Sequence, residues 1–182
     1  MKNLLVSALA CAIVLTTSFD AAAEVGGYIG ARVGAAPEDR FDFHGNLNSD
    51  TPYGIYGGWM FSPSFGVEVS YTDLGTSEVV GIADGGFRVD GDLATLGLIY
   101  DYAVNDQCSL LAGVGVFDLS EDGEAFTIAG PRPLNLDDNG AYVEVGARFA
   151  LTPAFAIRTS YQWFDFDANS DGIPSLGAEF SF

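Results

Sequence analysis

Six charged residues stand where charge is unexpected. Arg32, Glu68, Glu144, Arg148, Arg158 and Glu179 lie in "GYIGARVG", "FGVEVSYT", "AYVEVGARFAL", "FAIRTSYQW" and "LGAEFSF", stretches that otherwise alternate apolar residues with small or polar ones. Three cations and three anions can neutralise one another, and the planar Arg fork takes a carboxylate through two parallel hydrogen bonds. Two uses of such a set stand side by side. One is a structural plug of ion pairs, and the other is a gated path for small ions.

Other chemistry is sparse. His44 is the single histidine, with Glu38, Asp39 and Asp42 close by in sequence, but the nearest serine is Ser49. A hydrolytic triad needs a nucleophile within reach of its base, so His44 reads as solvated surface. Neither a Gly-x-Ser-x-Gly turn nor a phosphate loop occurs. "DANSDG" places Asp167, Asn169, Asp171 and Gly172 as the first half of a calcium loop. The closing carboxylate position is Ala178, so the stretch reads first as a turn. Cys108 is the one cysteine outside the N-terminal segment, which rules out an internal disulfide and a cysteine-rich metal site. No residue pattern asks for a cofactor.

What must hold the six charges is a set of strands. Ala141, Val143, Val145, Ala147, Phe149 and Leu151 alternate with Tyr142, Glu144, Gly146, Arg148 and Ala150. The same period of two runs through 65–72, 155–163 and 175–182, and it is the strand signature. Eight strands are expected, near 25–35, 52–61, 65–75, 87–102, 108–118, 139–151, 155–166 and 174–182. The facing of 87–102 stays open, because its parity depends on where the preceding turn falls. Connections at 62–64, 104–107 and 152–154 are short. Those at 36–51, 76–86, 119–138 and 167–173 are longer and acidic. An even strand number with alternating short and long connections is the plan of a transmembrane barrel.

The apolar face is then the lipid face. The opposite face carries Gly30, Gly34, Gly54, Gly58, Gly66, Gly146 and Gly177, too small and too weakly charged for a water-facing surface. Eight strands leave an interior just wide enough for side chains, and crowding there explains the glycines. Phe61, Phe65, Phe149, Phe155 and Phe182 fall beside the short turns. Tyr53, Tyr71 and Trp163 fall toward the long connections. Two interfacial aromatic girdles have this layout. A formal charge of −18, from 25 acids against 7 Lys and Arg, excludes nucleic acid as a partner. With the six luminal charges balanced, the excess acid belongs to the long connections. Residues 1–23 have a basic start, a short apolar run and Ala21-Ala22-Ala23, the plan of a cleaved secretory signal peptide. The expected organisation is a signal peptide at 1–23 and one barrel domain at 24–182.

"GYIGARVG" (27–34), "YGGWMFSPSFGVEVSYTDLG" (56–75) and "ALTPAFAIRTSYQW" (150–163) resemble the transmembrane domain of the OmpA family of small outer-membrane barrels. The resemblance implies an all-β, eight-stranded antiparallel up-and-down barrel in the outer membrane of a Gram-negative bacterium. It also implies a luminal ion-pair plug, with Arg32, Glu68 and Arg158 at matching positions. Arg148 stands where the family pattern has an acid, which leaves the pairing scheme open. In such proteins a terminal polar-x-Gly-x-x-aromatic-x-aromatic pattern is read by the outer-membrane assembly machinery. Ser175, Gly177, Phe180 and Phe182 match it. Many family members continue into a peptidoglycan-binding domain; this sequence shows none, so wall anchoring is not expected.

The reading is a monomeric structural or surface-interaction barrel, in contact with lipid and lipopolysaccharide. A small-solute channel is the alternative, and a lipid-modifying enzyme is disfavoured by the isolation of His44. If the terminal pattern is an assembly signal, Phe180→Ala with Phe182→Ala lowers the outer-membrane yield of the heat-modifiable folded band while synthesis continues. A double variant that accumulates at the wild-type level counts against that role.

Overall fold

The computed structural model describes residues 25–35, 47–79, 86–127, 130–165 and 170–182. The expected signal peptide lies outside them. Nine strands are present: β1 Gly26–Gly34, β2 Leu47–Ser49, β3 Tyr53–Met60, β4 Phe65–Val79, β5 Gly86–Ala103, β6 Cys108–Thr127, β7 Gly130–Thr152, β8 Phe155–Asp165 and β9 Ser170–Ser181. Sequential neighbours from β3 to β9 pair antiparallel. β1 joins β3 on one side and β9 on the other, with Ile29 opposite Gly57 and Phe180. Eight strands therefore close into a barrel. β2 is a short addition to the far end of β4, with Leu47 opposite Val79. Closure removes sheet edges within the wall, which is what allows strands to lie in hydrocarbon.

Local sequence sets the tight turns. Ser62 Oγ accepts the Phe65 amide at 3.0 Å, Asn105 Oδ1 accepts the Gln107 and Cys108 amides at 2.9 Å each, and Thr152 Oγ1 accepts the Phe155 amide at 3.0 Å. Each is a short polar side chain that replaces a ladder partner where the strand reverses.

Facing follows the alternation. Ile29, Val33, Ile55, Val67, Val143, Val145 and Leu176 point outward and are exposed, while Tyr28, Arg32, Tyr56, Glu68, Tyr142 and Glu144 are buried inside. β5 is now settled. Leu93, Thr95, Ile99 and Asp101 face the lumen; Leu96, Leu98, Tyr100 and Tyr102 face out. Phe61, Phe65, Phe149 and Phe155 are exposed at the short-turn end, and Tyr53, Tyr71 and Trp163 toward the other. Phe182 is half-buried, with its ring against Gly27.

The long connections differ from expectation. Most of 119–138 is strand: β6 and β7 remain paired out to Thr127 and Gly130. β4 and β5 likewise stay paired to Val79 and Phe87. The four strands β4 to β7 thus project beyond the other four as one wall. Alternation continues there without an apolar outer face, since Asp90, Asp92, Asp118, Asp122 and Glu124 are exposed, and so hydropathy gives no strand signal. Several of these acids lie in cross-strand pairs of like charge, Asp73 opposite Asp92 and Asp90 opposite Asp122. Hydroxyl donors offset the repulsion. Tyr53 donates to Asp73 at 2.7 Å, Tyr71 to Asp92 at 2.6 Å, and Thr76 to Asp90. β8 pairs with β7 only from Tyr142 onward, so the stretch of β7 before it forms an edge. Pro131 and Pro133, which lack an N–H, occupy that edge.

Inside, large side chains lie over glycines. Tyr56 covers Gly30, Tyr28 covers Gly58, and Tyr142 covers both Gly97 and Gly115. A Cβ on Gly115 would strike the Leu96 carbonyl and Gly97 Cα as well as the Tyr142 ring, so backbone would have to move. Overpacking of this kind costs about 1–3 kcal/mol. Gly115→Val is accordingly expected to lower the urea midpoint of unfolding from lipid vesicles. Ala112→Val, on the exposed face of the same strand, is expected to leave it unchanged.

Candidate functional site: a charged cluster in the barrel lumen

The inward parity of β1, β4, β7, β8 and β9 brings the six charges into one interior. Arg158 on β8 is its centre and is 5% exposed. Its Nη1 donates to Glu68 Oε2 at 2.5 Å and its Nη2 to Glu68 Oε1 at 3.2 Å, a two-point fork. Nη2 also reaches Glu144 Oε1 at 2.7 Å, and Nη1 lies 3.7 Å from Glu179 Oε2. The remaining acceptor capacity is used. Tyr28 donates to Glu68 Oε2 at 2.7 Å, and Gln162 Nε2 to Glu144 Oε2 at 2.9 Å. Buried ions must be satisfied in this way, because the loss of hydration costs several kcal/mol per ion.

Arg148 departs from this centre. It lies directly across the strand pair from Arg158, a like-charge juxtaposition. Arg148 escapes it by turning toward the short-turn end. There its side chain is 32% exposed and meets Glu179 Oε1 at 3.2 Å and Asp101 Oδ2 at 3.3 Å. Asp101 is the acid that sequence reading missed. Its parity was hidden because both faces of β5 are apolar. Glu179 lies between the two arginines and joins their groups.

Arg32 has no carboxylate within ion-pair distance among the described residues. Its Nη2 donates to Ser70 Oγ at 2.8 Å and Thr72 Oγ1 at 3.1 Å. Ser70 in turn shares a 2.6 Å hydrogen bond with Thr95, and Ser160 one of 2.8 Å with Ser175. The Tyr56 ring lies between the two buried cations, with its centroid 4.8 Å from the Arg158 guanidinium carbon and 5.9 Å from that of Arg32. The electron-rich ring face stabilises each cation and keeps the two apart. The residues from Tyr28 to Gln162 that complete the cluster carry no charge pattern in sequence; their inward parity is the signal that finds them.

Beyond the hydroxyl layer, toward the projecting wall, the lumen turns apolar. Leu74, Leu93, Phe117, Leu119, Tyr142, Phe164 and Ile173 form one buried cluster. Phe117 meets Phe164 edge-on at 5.4 Å, and Tyr142 stacks on Phe164 at 5.7 Å. A void of about 10 Å³ lies at the boundary, lined among others by Arg32, Thr72, Gln162 and Ser175 on the polar side and by Leu93 and Ile173 on the apolar side. That is room for about one water.

Most of the other candidates, His44, Asp167 and Asn169, fall outside the described residues. Asp171 belongs to the β8–β9 ladder, opposite Phe164. No group of three or more His, Cys, Asp or Glu suited to a metal occurs among the described residues. In the terminal pattern, Ser175 and Gly177 face the lumen side of β9, whereas Phe180 is exposed and stacks on Phe182 at 6.4 Å.

A family model described as "Outer membrane protein beta-barrel domain" matches residues 6–182. Outer membrane protein A of Escherichia fergusonii is 29% identical over 140 residues, covering 71% of this chain and 39% of that protein. The chain thus spans about two-fifths of the length of that curated relative. Among solved structures, the outer membrane protein OprG from Pseudomonas aeruginosa superposes with a TM-score of 0.64 at 17% identity, over 90% of this chain and 99% of OprG. Ail, the attachment invasion locus protein of Yersinia pestis, solved in complex with a heparin analogue, gives 0.57 at 18%, over 86% of this chain and 99% of Ail. At these identities the two structures speak for the fold.

Removing one partner of the central pair leaves the other ion buried and uncompensated, which costs about 3–5 kcal/mol, less where water enters. Glu68→Ala is expected to lower the urea midpoint in lipid vesicles by that order. Tyr56→Phe is expected to be neutral, since the Tyr56 hydroxyl is buried without a hydrogen-bond partner and the ring is what the cations use. Equal midpoints for Glu68→Ala and wild type would remove the pair from the stability of the barrel.

Proposed function

Because this chain belongs to the outer membrane protein beta-barrel domain family, and so lies in the outer membrane of a Gram-negative bacterium, we propose that it is a closed structural barrel with a surface-contact role. What supports this reading is the stack of side chains inside the lumen. Charged, hydroxyl and apolar side chains occupy successive levels, and the void between the last two has room for about one water. A channel needs a continuous wet path, and the interior of so narrow a barrel is taken up by side chains.

The projecting wall supplies the surface. Its outward acids, Asp90, Asp92, Asp118, Asp122 and Glu124, outnumber the exposed Arg88 and Arg132 and make a field that gathers divalent cations. Such cations can bridge carboxylates to the phosphates of lipopolysaccharide. Ail was solved with a heparin analogue, a polyanion. The wall described here has the opposite requirement and suits cationic or cation-bridged partners. Delivery by a cleaved signal peptide at 1–23, recognition of the terminal aromatic pattern by the assembly machinery, and a monomeric state complete the proposal. The enzyme alternative stays disfavoured on the sequence ground that His44 has no serine nearer than Ser49.

Purified barrel in planar bilayers is expected to show no steady conduction, and cells lacking the protein are expected to become more sensitive to detergents. Steady conductance in the nanosiemens range, with unchanged detergent sensitivity, would replace the structural reading with the small-solute channel.

A further inference from the structure

The closed lumen has two candidate barriers, the ion-pair level around Arg158 and the apolar level above it. We infer that the apolar level, built on Leu93, Phe117, Tyr142, Phe164 and Ile173, is what blocks ions, and that the ion pairs set the stability of the barrel without sealing it. This rests on the closed-barrel reading and says where the closure lies.

The argument starts from what each level offers a hydrated ion. The lower end of the lumen is open to water at Arg148, whose side chain is 32% exposed. From there a chain of polar groups runs inward beside the buried Ile99 and Leu111. Arg148 meets Glu179, Glu179 approaches Arg158, and Arg32 with the hydroxyls of Ser70, Thr72 and Thr95 lies beyond. Every one of these can exchange a protein partner for water. Arg158 alone reaches three carboxylates, so a shift of one pair leaves the others in place. The polar run ends at the void bounded by Leu93 and Ile173.

Past that void the described lining is apolar as far as Ser77 and Glu121, which are buried further along. Leu93 and Phe164 are each 1% exposed, and the Phe164 ring contacts those of Phe117 and Tyr142. An apolar constriction excludes ions by dewetting, and a narrow one does so even while its polar surroundings are wet. The aromatic contacts fix the level in place, because three rings from β6, β7 and β8 must move before a path opens.

The test compares variants that damage one level at a time, each first shown to fold by its heat-modifiable band. Glu68→Gln removes the central charge and keeps its volume. Leu93→Asn puts a hydrogen-bonding group of similar size into the apolar level, and Phe117→Ala with Phe164→Ala thins it. In planar bilayers with potassium chloride, Glu68→Gln is expected to conduct no more than wild type. Leu93→Asn is expected to raise the open-state frequency by roughly tenfold or more, following the loss of dewetting. If the double aromatic variant does not fold, Leu93→Asn decides alone. Conduction by Glu68→Gln with a closed Leu93→Asn overturns the inference. So does closure of both, since either level would then suffice. A wild type that already conducts steadily defeats the closed-barrel reading itself, and is thereby told apart from a failure of this inference.

Discussion

Arg158 ties the barrel together across its own interior. The wall is held by ladders between neighbours, but ladders do not oppose a change in cross-section. One guanidinium reaching Glu68 on β4, Glu144 on β7 and Glu179 on β9 does, because it links strands on opposite sides of the ring. Its cost is the removal of four ions from water, and that cost is met only when every lone pair has a donor. Tyr28 and Gln162 complete the set. The glycines follow from the same demand: Gly58 and Gly97 flank Glu68 in register, and Gly30 admits Tyr56. A central charge cluster therefore dictates small residues around it, which is why the polar face of the sequence looks so bare.

The spacing of apolar residues was enough to place eight strands and their closure, since a lipid face and a crowded interior both leave a period of two. It failed where neither acts. The extensions of β6 and β7 beyond Phe117 and Gly140 stand in water on their outer side, so Asp118, Asp122 and Glu124 occupy positions that Val or Leu holds lower down. Acidic strands read as loops when hydropathy is the only guide. The facing of β5 failed for the opposite reason. Leu96 and Leu98 serve lipid while Leu93 and Ile99 serve the apolar interior, and a strand apolar on both faces carries no parity. Asp101 was lost with it, and with Asp101 the explanation of Arg148.

The departure at Arg148 is instructive beyond its pairing. An arginine directly opposite another arginine would be expelled from most interiors. Here it is tolerated because two acids, Asp101 and Glu179, draw it toward the wet mouth while Arg158 is drawn the other way by Glu68 and Glu144. An arginine here thus extends the network along the barrel axis instead of breaking it. The apolar cluster that succeeds the network has no charge to signal it, and only the closure of the sheet assembles Leu93, Phe117, Phe164 and Ile173.

The unequal height of the wall gives the molecule a front and a back in the plane of the membrane. Strands β4 to β7 carry a tall acidic face; β1, β8 and β9 stop short, and their outer side is shallow at Ala31 and Ala178, where a groove runs between Val33, Ile55 and Leu176. Two such barrels meeting front to front would repel, whereas back to back they would meet on small apolar residues. The barrel thus shows its neighbours two unlike sides, a tall acidic wall on one and a shallow apolar groove on the other.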